Sequence, residues 1–388
     1  MRSLSVASLA FLLFVPCVAR ANEPLPATES LFAAPTGEAP CDRLSLRADY
    51  LYWWLRRLRT PPLLTAGPEG SSALLGDPQT IILRGGDRIT SRHDRYVGIR
   101  TGADYWLDPE RTWALEADAF FMERDSTHFT VRPGDVPVLA IPFVGAGGRN
   151  NSFVVSGFNP QFGDLSGGTN IYSRMELFGQ EANVRYNLAR RAGSEWDLFA
   201  GARFLQLRER LDLTSSSRVL PEGSTLLGLE DHFQTFDKFY GGQLGASGTL
   251  RFGRLALEGR AALALGADDE TIRNKGQSIF HTPHQRQVQP YGLFVLPSNR
   301  GEFSRVSFDV VTEVRFNVVF ELTQHVNLRA GYSLLTWDGP VRPGDQVLPI
   351  NRGQVRPEGL QGPLQPLPNF KEDVFCAHGL NAGVELSW

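Results

Sequence analysis

The chain has 388 residues, of which 42% are hydrophobic and 21% are charged. This composition is too apolar for a disordered chain and too mixed for a helical membrane protein. The formal net charge of −3 argues against nucleic-acid binding, and three cysteines are too few for a disulfide scaffold or a structural zinc cluster. The 39 glycines and 25 prolines favour a turn-rich, β-rich chain.

The N-terminal residues have the features of an export signal. Arg2 gives a positive start, residues 4–15 form an apolar stretch too short to span a membrane comfortably, and Ala19-Arg20-Ala21 fits a small-x-small cleavage site. We expect residues 1–21 to be a signal peptide and residues 22–42 to be a periplasmic segment. The mature chain then starts its ordered part near residue 43.

From residue 43 onward, ten segments alternate apolar and polar residues, which is the pattern of strands with one apolar and one polar face. These segments lie at about 43–55, 93–107, 111–125, 171–189, 195–212, 233–252, 254–266, 303–322, 325–337 and 374–388. Between them, tight turns alternate with long connections at about 56–92, 126–170, 213–232, 267–302 and 338–373. Both chain ends fall on the side of the short turns.

This layout predicts an all-β fold, an antiparallel transmembrane up-and-down β-barrel of about ten strands over residues 43–388. The short turns would be periplasmic and the long loops external, in the outer membrane of a Gram-negative-type envelope. Twelve strands are the alternative, if residues 79–84 or 288–296 hold a further hairpin. A soluble β-sandwich is disfavoured because the polar faces are heavily charged and the tryptophans cluster near strand ends.

The barrel prediction also bears on the two cysteines that remain after cleavage. Cys41 precedes the first strand on the periplasmic side, and Cys376 begins the last strand on the external side. Closure pairs these two strands antiparallel, so the thiols would lie near opposite rims, beyond the roughly 7 Å limit between bridged Cα atoms. We expect no disulfide.

The polar faces, projected inward, line the barrel with charges of both signs. Arginine predominates among the bases, and its planar fork can bridge several carboxylates. A barrel of about ten strands is narrow, so we expect these residues mainly to form a structural ion-pair network; a selective channel with the same lining is the alternative. The candidates are Arg47, Asp49, Arg100, Asp104, Glu116, Asp118, Glu181, Arg185, Arg203, Glu258, Arg260, Asp309, Glu313, Arg315, Arg329 and Glu385, with Asp197 and Arg305 beside them.

Motifs for catalysis or metal binding are weak in this sequence. It has no phosphate-binding loop, nucleophile elbow, zinc-protease helix or paired-cysteine motif. Asp268-Asp269-Glu270 shares a predicted loop with His281-Thr282-Pro283-His284 and could bind a divalent ion, but charged external loops are common. We expect no metal and no cofactor.

Acid–base pairs near the external rim raise a second possibility, because some small barrels are rim hydrolases. The pairs are His93-Asp94, Asp125 with His128, and Asp231-His232. Seven histidines can produce such an arrangement by chance. We therefore expect no enzyme and assign no catalytic residue.

The stretches Phe199–Glu209, Arg342-Pro-Gly-Asp345 and Gly379–Trp388, with several others, resemble a known family, the planctomycete-type outer-membrane β-barrel proteins named beta-barrel protein seven. Arg342-Pro-Gly-Asp345 is the most specific of them, and the C-terminal stretch resembles both the family's closing strand and the aromatic signal that outer-membrane assembly machinery reads. The resemblance implies a fold and a location, and it brings no activity. The full set of other stretches is Gly102–Asp108, Phe178–Asn187, Phe199–Glu209, Leu296–Asn299 and Gly331–Trp337, and the C-terminal stretch is Gly379–Trp388.

Three functions compete on this reading. The first is porin-like passage or binding of small solutes. The alternative is a closed structural or surface-interaction barrel that acts through its external loops, and a rim hydrolase comes third. The expected partners are outer-membrane lipids, the assembly machinery through the C-terminal strand, and a small solute; nucleic acid is not expected.

Overall fold

The structure, a computed structural model, describes residues 43–56, 58–86, 95–221 and 225–388. The predicted signal peptide, the periplasmic segment and Cys41 lie outside these residues, and Cys376 is a free cysteine. Two short 3-10 helices, Pro343–Gln346 and Arg352–Val355, accompany sixteen strands. The strands are β1 (Leu44–Leu55), β2 (Thr60–Gly67), β3 (Ile81–Gly86), β4 (Arg95–Trp106), β5 (Trp113–Met122), β6 (Asp125–Val131), β7 (Val138–Val144), β8 (Asn150–Asn159), β9 (Gly163–Arg191), β10 (Ser194–Val219), β11 (Leu226–Phe252), β12 (Leu255–His281), β13 (Arg286–Gln289), β14 (Gly301–Thr323), β15 (Val326–Val341) and β16 (Glu372–Ser387).

Ten of these strands form a closed antiparallel ring. Its order is β1, β4, β5, β9, β10, β11, β12, β14, β15 and β16, and β16 pairs back onto β1. The prediction of an all-β barrel of about ten strands is therefore confirmed. The proposed additional hairpins do not enter the ring, because β3 pairs with β2 and β13 pairs only with β12.

The long connections differ from the sequence prediction, because several ring strands continue far into them. Strands β9 to β12 contain 26 to 29 residues each, whereas about 9–11 tilted residues cross a membrane. The predicted loop 213–232 is mostly strand, and large parts of 126–170 and 267–302 are strand as well. Outside a membrane a strand needs no clean apolar face, so the alternation that marks the other strands is weaker there.

A smaller sheet covers the end of the barrel that carries the long connections, called here the loop end. Strands β3, β2, β7 and β8 pair in that order, and β8 joins β9 through Gly157 and Leu165. Its apolar side packs with the long strands and with residues 293–296 into one buried cluster, called here the outer core. The outer core consists of Leu58, Leu63, Leu64, Val131, Leu139, Ile141, Val155, Ile171, Leu211, Leu213, Leu229, Phe233, Leu293, Phe294, Val295, Leu296, Val347 and Ile350.

The outside of the ring is an apolar belt. Strict alternation along each strand turns one set of side chains outward, and these are large and exposed. Among the described residues, no helix is long and apolar enough to cross a membrane. The belt includes Leu46, Tyr50, Ile99, Leu115, Phe121, Val184, Leu198, Leu244, Leu257, Phe308, Phe316, Val318, Tyr332, Leu380 and Val384.

Candidate functional site in the barrel interior

The inward faces of the ring strands form a layer of charged side chains across the barrel, called here the charged layer. Every ring strand except β11 contributes an arginine or a carboxylate, and β11 contributes Gln243. All sixteen predicted lining residues lie on inward faces, and fifteen of them belong to this layer. They comprise the seven arginines Arg47, Arg100, Arg185, Arg203, Arg260, Arg315 and Arg329 and the eight acids Asp49, Asp104, Glu116, Asp118, Glu181, Glu258, Glu313 and Glu385.

Glu313 on β14 is the most enclosed member of the charged layer. One carboxylate oxygen accepts a hydrogen bond from Arg100 at 2.6 Å and the other accepts one from Arg203. The Glu313 side chain is 2% exposed and that of Arg100 is 4% exposed. Arg100 also lies over the rings of Trp53 and Phe120, at 5.4 and 5.2 Å from their centroids. These partners fix the arginine on both sides.

A second group in the charged layer centres on Glu181 of β9. Its Oε1 accepts hydrogen bonds from Arg260 at 3.0 Å and from Arg315 at 2.7 Å. Arg260 continues to Glu116 at 2.9 Å. Because each arginine bridges two strands or more, these pairs tie opposite sides of the ring together.

The remaining charged residues lie closer to the short turns. Arg47 contacts Asp104, and Arg329 binds Glu258 at 3.0 Å. Arg329 also binds Glu385, with Asp49 at 3.9 Å, and Arg185 lies 3.5 Å from Asp104 and 3.6 Å from Glu116. In this region the arginines and the carboxylates therefore neutralise one another.

Asp309 is the predicted lining residue that does not join the charged layer. It lies nearer the loop end, where it accepts a hydrogen bond from Trp337 Nε1 at 2.9 Å and lies 3.0 Å from the Ser307 hydroxyl. Arg305, also predicted, binds Glu270 there through two hydrogen bonds of 2.9 Å. The structure therefore separates two sets of inward charges that the sequence pattern cannot distinguish.

Two neutral members of the charged layer were not among the sequence candidates. Gln243 donates to Glu181 at 2.9 Å and to Asn183 at 2.6 Å, and all three side chains are buried. Their positions share the inward parity of the charged residues. A search of the sequence for all polar residues of inward parity would have found these two residues. A search restricted to charged residues misses them.

On the loop side of the charged layer, the inward side chains become apolar. Trp53 and Trp337 are fully buried, and Trp53 packs against Phe120 at a centroid distance of 5.4 Å. We call this set the apolar layer. Its members are Leu51, Trp53, Leu55, Phe120, Met122, Met175, Leu177, Leu205, Leu207, Phe239, Ala264, Val311, Leu335, Trp337, Phe375 and Ala377.

Three layers therefore fill the barrel in succession: charged layer, apolar layer and outer core. A cavity of about 90 Å³ remains beside the charged layer, lined by Arg47, Asp118 and Arg260 among others, which is room for a few water molecules. At the end with the short turns, a wider depression of about 510 Å³ is bordered by Arg185, Arg190 and other charged residues.

The predicted rim pair of Asp231 and His232 is not assembled as an acid–base pair. Asp231 and His232 are neighbours on β11 and point to opposite faces, and His93-Asp94 lies outside the described residues. His232 instead bonds Asp212 through Nδ1 at 2.9 Å. That hydrogen bond, with the charge of Asp212, raises the pKa of His232. His128 packs against Tyr172, with ring centroids 4.7 Å apart.

Asp231 has a structural role at the loop end. Its carboxylate accepts backbone N–H groups of Leu293 at 3.0 Å, Phe294 at 3.1 Å and Val295 at 2.8 Å. These bonds fix the segment that supplies the middle of the outer core. Burial raises the pKa of Asp231 to about 6, against the opposing effect of the three N–H donors.

The candidate divalent-ion loop is also rearranged. Asp268 and Glu270 point inward from β12, whereas Asp269 is exposed on the other face. His281 is exposed at the far end of the same strand, about 40 Å away along an extended chain, and His284 is exposed in the turn that follows. The two halves of that motif therefore do not meet.

Comparison with known proteins also identifies a β-barrel family. The family model described as "Putative beta barrel porin-7 (BBP7)" matches residues 46–388. The chain belongs to this family. Membership confirms the resemblance found in the sequence, and the BBP7 chain is an outer-membrane β-barrel. No curated protein matches it.

Three solved structures that are similar to this chain are distant from it in sequence. The outer-membrane protease OmpT from Escherichia coli is 10% identical with a TM-score of 0.37, over 92% of this chain and 100% of that chain. A loop L8 deletion mutant of OmpT, an outer membrane protein of Vibrio cholerae, is 10% identical with a TM-score of 0.18, over 90% and 100%. The Pseudomonas putida toluene transporter TodX is 10% identical with a TM-score of 0.16, over 91% and 90%.

Proposed function

We propose that the protein is a closed outer-membrane barrel that acts through the β-structure at its loop end and conducts no solute in this conformation. The observation that carries the proposal is the filled interior. Charged layer, apolar layer and outer core follow one another along the barrel, and Glu313, Arg100 and Trp53 in its middle are almost fully buried.

Opening such an interior is energetically unfavourable. A solute would have to separate Glu313 from Arg100 and Arg203, which leaves charges in a poorly hydrated space. It would also have to displace large side chains of the apolar layer, whose packing contributes to stability. Both barriers lie on the same path, so movement of one layer alone leaves the other in place.

Conductance of the refolded protein in a planar bilayer tests this proposal. We expect no discrete current steps from the refolded protein. Heat-dependent migration of the same sample on a detergent gel shows that it is folded. An open porin inserted into the same lipid mixture is the positive control. Reproducible unitary steps from the wild-type protein would contradict the proposal and establish an open lumen.

Porin-like passage is the second candidate function, favoured by the description of the family and by the charged depression at the end with the short turns. Arg111, Arg185, Arg190 and Arg251 border that depression together with acids such as Glu195. Swelling of liposomes in small solutes of either charge tests it. Swelling that exceeds that of protein-free liposomes would favour passage over closure.

We further propose that the chain is not an enzyme and that its partners are outer-membrane lipids and the assembly machinery. The apolar belt supports the first partner. The closing strand has Val384 and Leu386 on its outer face and is followed by the exposed Trp388, which supports the second. Replacing Trp388 with Ser should slow insertion into membranes in the presence of that machinery and leave unassisted refolding into detergent unchanged. Equal insertion of both proteins would contradict recognition of this strand.

A further inference from the structure

Three inward carboxylates form a cluster at the level of the apolar layer. Asp268 and Glu270 share the inward face of β12, and Asp309 lies on the inward face of β14, which pairs with it. One oxygen from each of the three side chains lies within 4.8 Å of the others. All three residues are at least 98% buried. We call these residues the acidic cluster.

Neighbouring side chains hold two of the three carboxylates in place. Glu270 accepts two hydrogen bonds from Arg305 and one of 2.7 Å from Ser307. Asp309 accepts from Trp337 Nε1 at 2.9 Å. Because Arg305 offsets the charge of Glu270, the charges of Asp268 and Asp309 are left without a cationic partner among the described side chains.

Asp268 supplies the observation that points to a ligand. It is fully buried against the Asp309 carboxylate, and neither of its own oxygens accepts a hydrogen bond of normal geometry from a donor among the described residues. Asp237, from β11, is also fully buried; its Oδ1 accepts Val341 N at 2.9 Å, and its Oδ2 has no such partner. Unpaired carboxylates are strongly disfavoured in a protein interior unless a proton or a cation neutralises them.

We propose that the acidic cluster binds a divalent cation of the Ca²⁺ type, with Asp237, the register partner of Glu270 on β11, beside it. Ca²⁺ is a hard ion that prefers carboxylate oxygens at about 2.3–2.6 Å, and two ligands on opposite sides of it are about 5 Å apart. The separations in the cluster fit that span. A divalent charge also offsets the two carboxylates that Arg305 does not. The bound ion would link side chains of β12 and β14 beside Trp337.

Trp337 makes the site observable with Tb³⁺, a luminescent substitute for Ca²⁺. Full-length protein, refolded and treated with a chelator, is titrated with Tb³⁺ while tryptophan is excited. We expect saturable Tb³⁺ emission because the Trp337 indole hydrogen-bonds directly to Asp309. Added Ca²⁺ should displace the signal, and calorimetry should give a matching Ca²⁺ affinity in the absence of Tb³⁺.

A pair of neighbouring variants tests the assignment. Asp268→Asn should weaken Ca²⁺ and Tb³⁺ binding by at least about tenfold. Asp269→Asn, its matched control on the exposed face of the same strand, should bind both ions like the wild type. Heat-dependent gel migration shows that both variants have folded, and Asp309→Asn replaces Asp268→Asn if the latter does not fold.

Two outcomes would overturn the proposal. One is wild-type protein that shows no saturable binding of either ion. The other is Asp268→Asn with unchanged ion affinity, in which case the carboxylate is neutralised by a proton shared with Asp309. Neither outcome bears on closure of the lumen, because conductance is measured independently of ion binding at this cluster.

Discussion

Glu313 sits between Arg100 and Arg203 in the charged layer, so its removal leaves two buried arginines without their shared partner. We expect Glu313→Ala to lower the free energy of unfolding by about 3–5 kcal/mol. Chemical unfolding of the detergent-refolded protein measures the change. Glu302→Ala, at an exposed pair with Arg273, is the control and should cost about 1 kcal/mol or less. If both variants lost a similar free energy of unfolding, the burial of Glu313 would not explain its contribution.

Asp231 allows a pH-dependent prediction at the loop end. Its folded pKa, about 6, is above the usual 3.8. The folded state thus binds the proton more tightly than the unfolded state. The contribution of protonated Asp231 to the free energy of unfolding is complete below pH 3.8 and is lost as the pH rises through about 6.

The amide resonances of Leu293, Phe294 and Val295 report this titration directly, because these groups donate to the Asp231 carboxylate. We expect them to shift together with a midpoint near pH 6. In Asp231→Asn the shift should disappear. A midpoint near the usual value for aspartate in the wild-type protein would contradict the effect of burial.

At the scale of the strand, the outward face of the ring must tolerate lipid. Leu380 points outward from β16 and is 52% exposed. Leu380→Arg should cost about 2–4 kcal/mol near the midplane of a bilayer and impair assembly, and Val310→Arg on β14 should act in the same way.

The matched control for this prediction lies outside the ring. Leu364 is 47% exposed in the segment between β15 and β16, beyond the barrel wall. Leu364→Arg should assemble like the wild type, as followed by the fraction of folded protein recovered from lipid vesicles. Normal assembly of both Leu380→Arg and Val310→Arg would refute the orientation of these strands.

Strand β10 shows why element boundaries were harder to predict than element number. Its outward side changes from Leu198 and Phe204 to Gln206, Arg208 and Arg210, and the sequence predicted this strand only as far as residue 212. The backbone pairing with β9 and β11 continues without a register shift from Asp197 to Arg218. The strand leaves the apolar belt rather than ending, so its outer face becomes polar while its hydrogen bonds continue.

At the scale of the whole molecule, closure of the ring predicts resistance to detergent. Every ring strand is hydrogen-bonded on both sides, so unfolding has no exposed edge at which to begin. Samples kept cold in denaturing detergent should migrate differently from boiled samples on a gel. Identical migration at all temperatures would contradict a closed barrel in solution.

The sequence by itself determined the number of ring strands, their orientation and the inward position of the charged residues. It could do so because a strand repeats every two residues and lipid demands one clean apolar face. No contact between distant strands was needed for any of these inferences.

Only the tertiary structure decided which inward residues meet. It assigned Glu313 to Arg100 and Arg203, separated Asp309 from the charged layer, and placed Asp268 of the neighbouring strand beside it. Parity gives the face of a side chain but not its height in the barrel or its neighbours across the lumen. Those depend on the strand register and on closure, which hydrogen bonds between residues far apart in the chain establish.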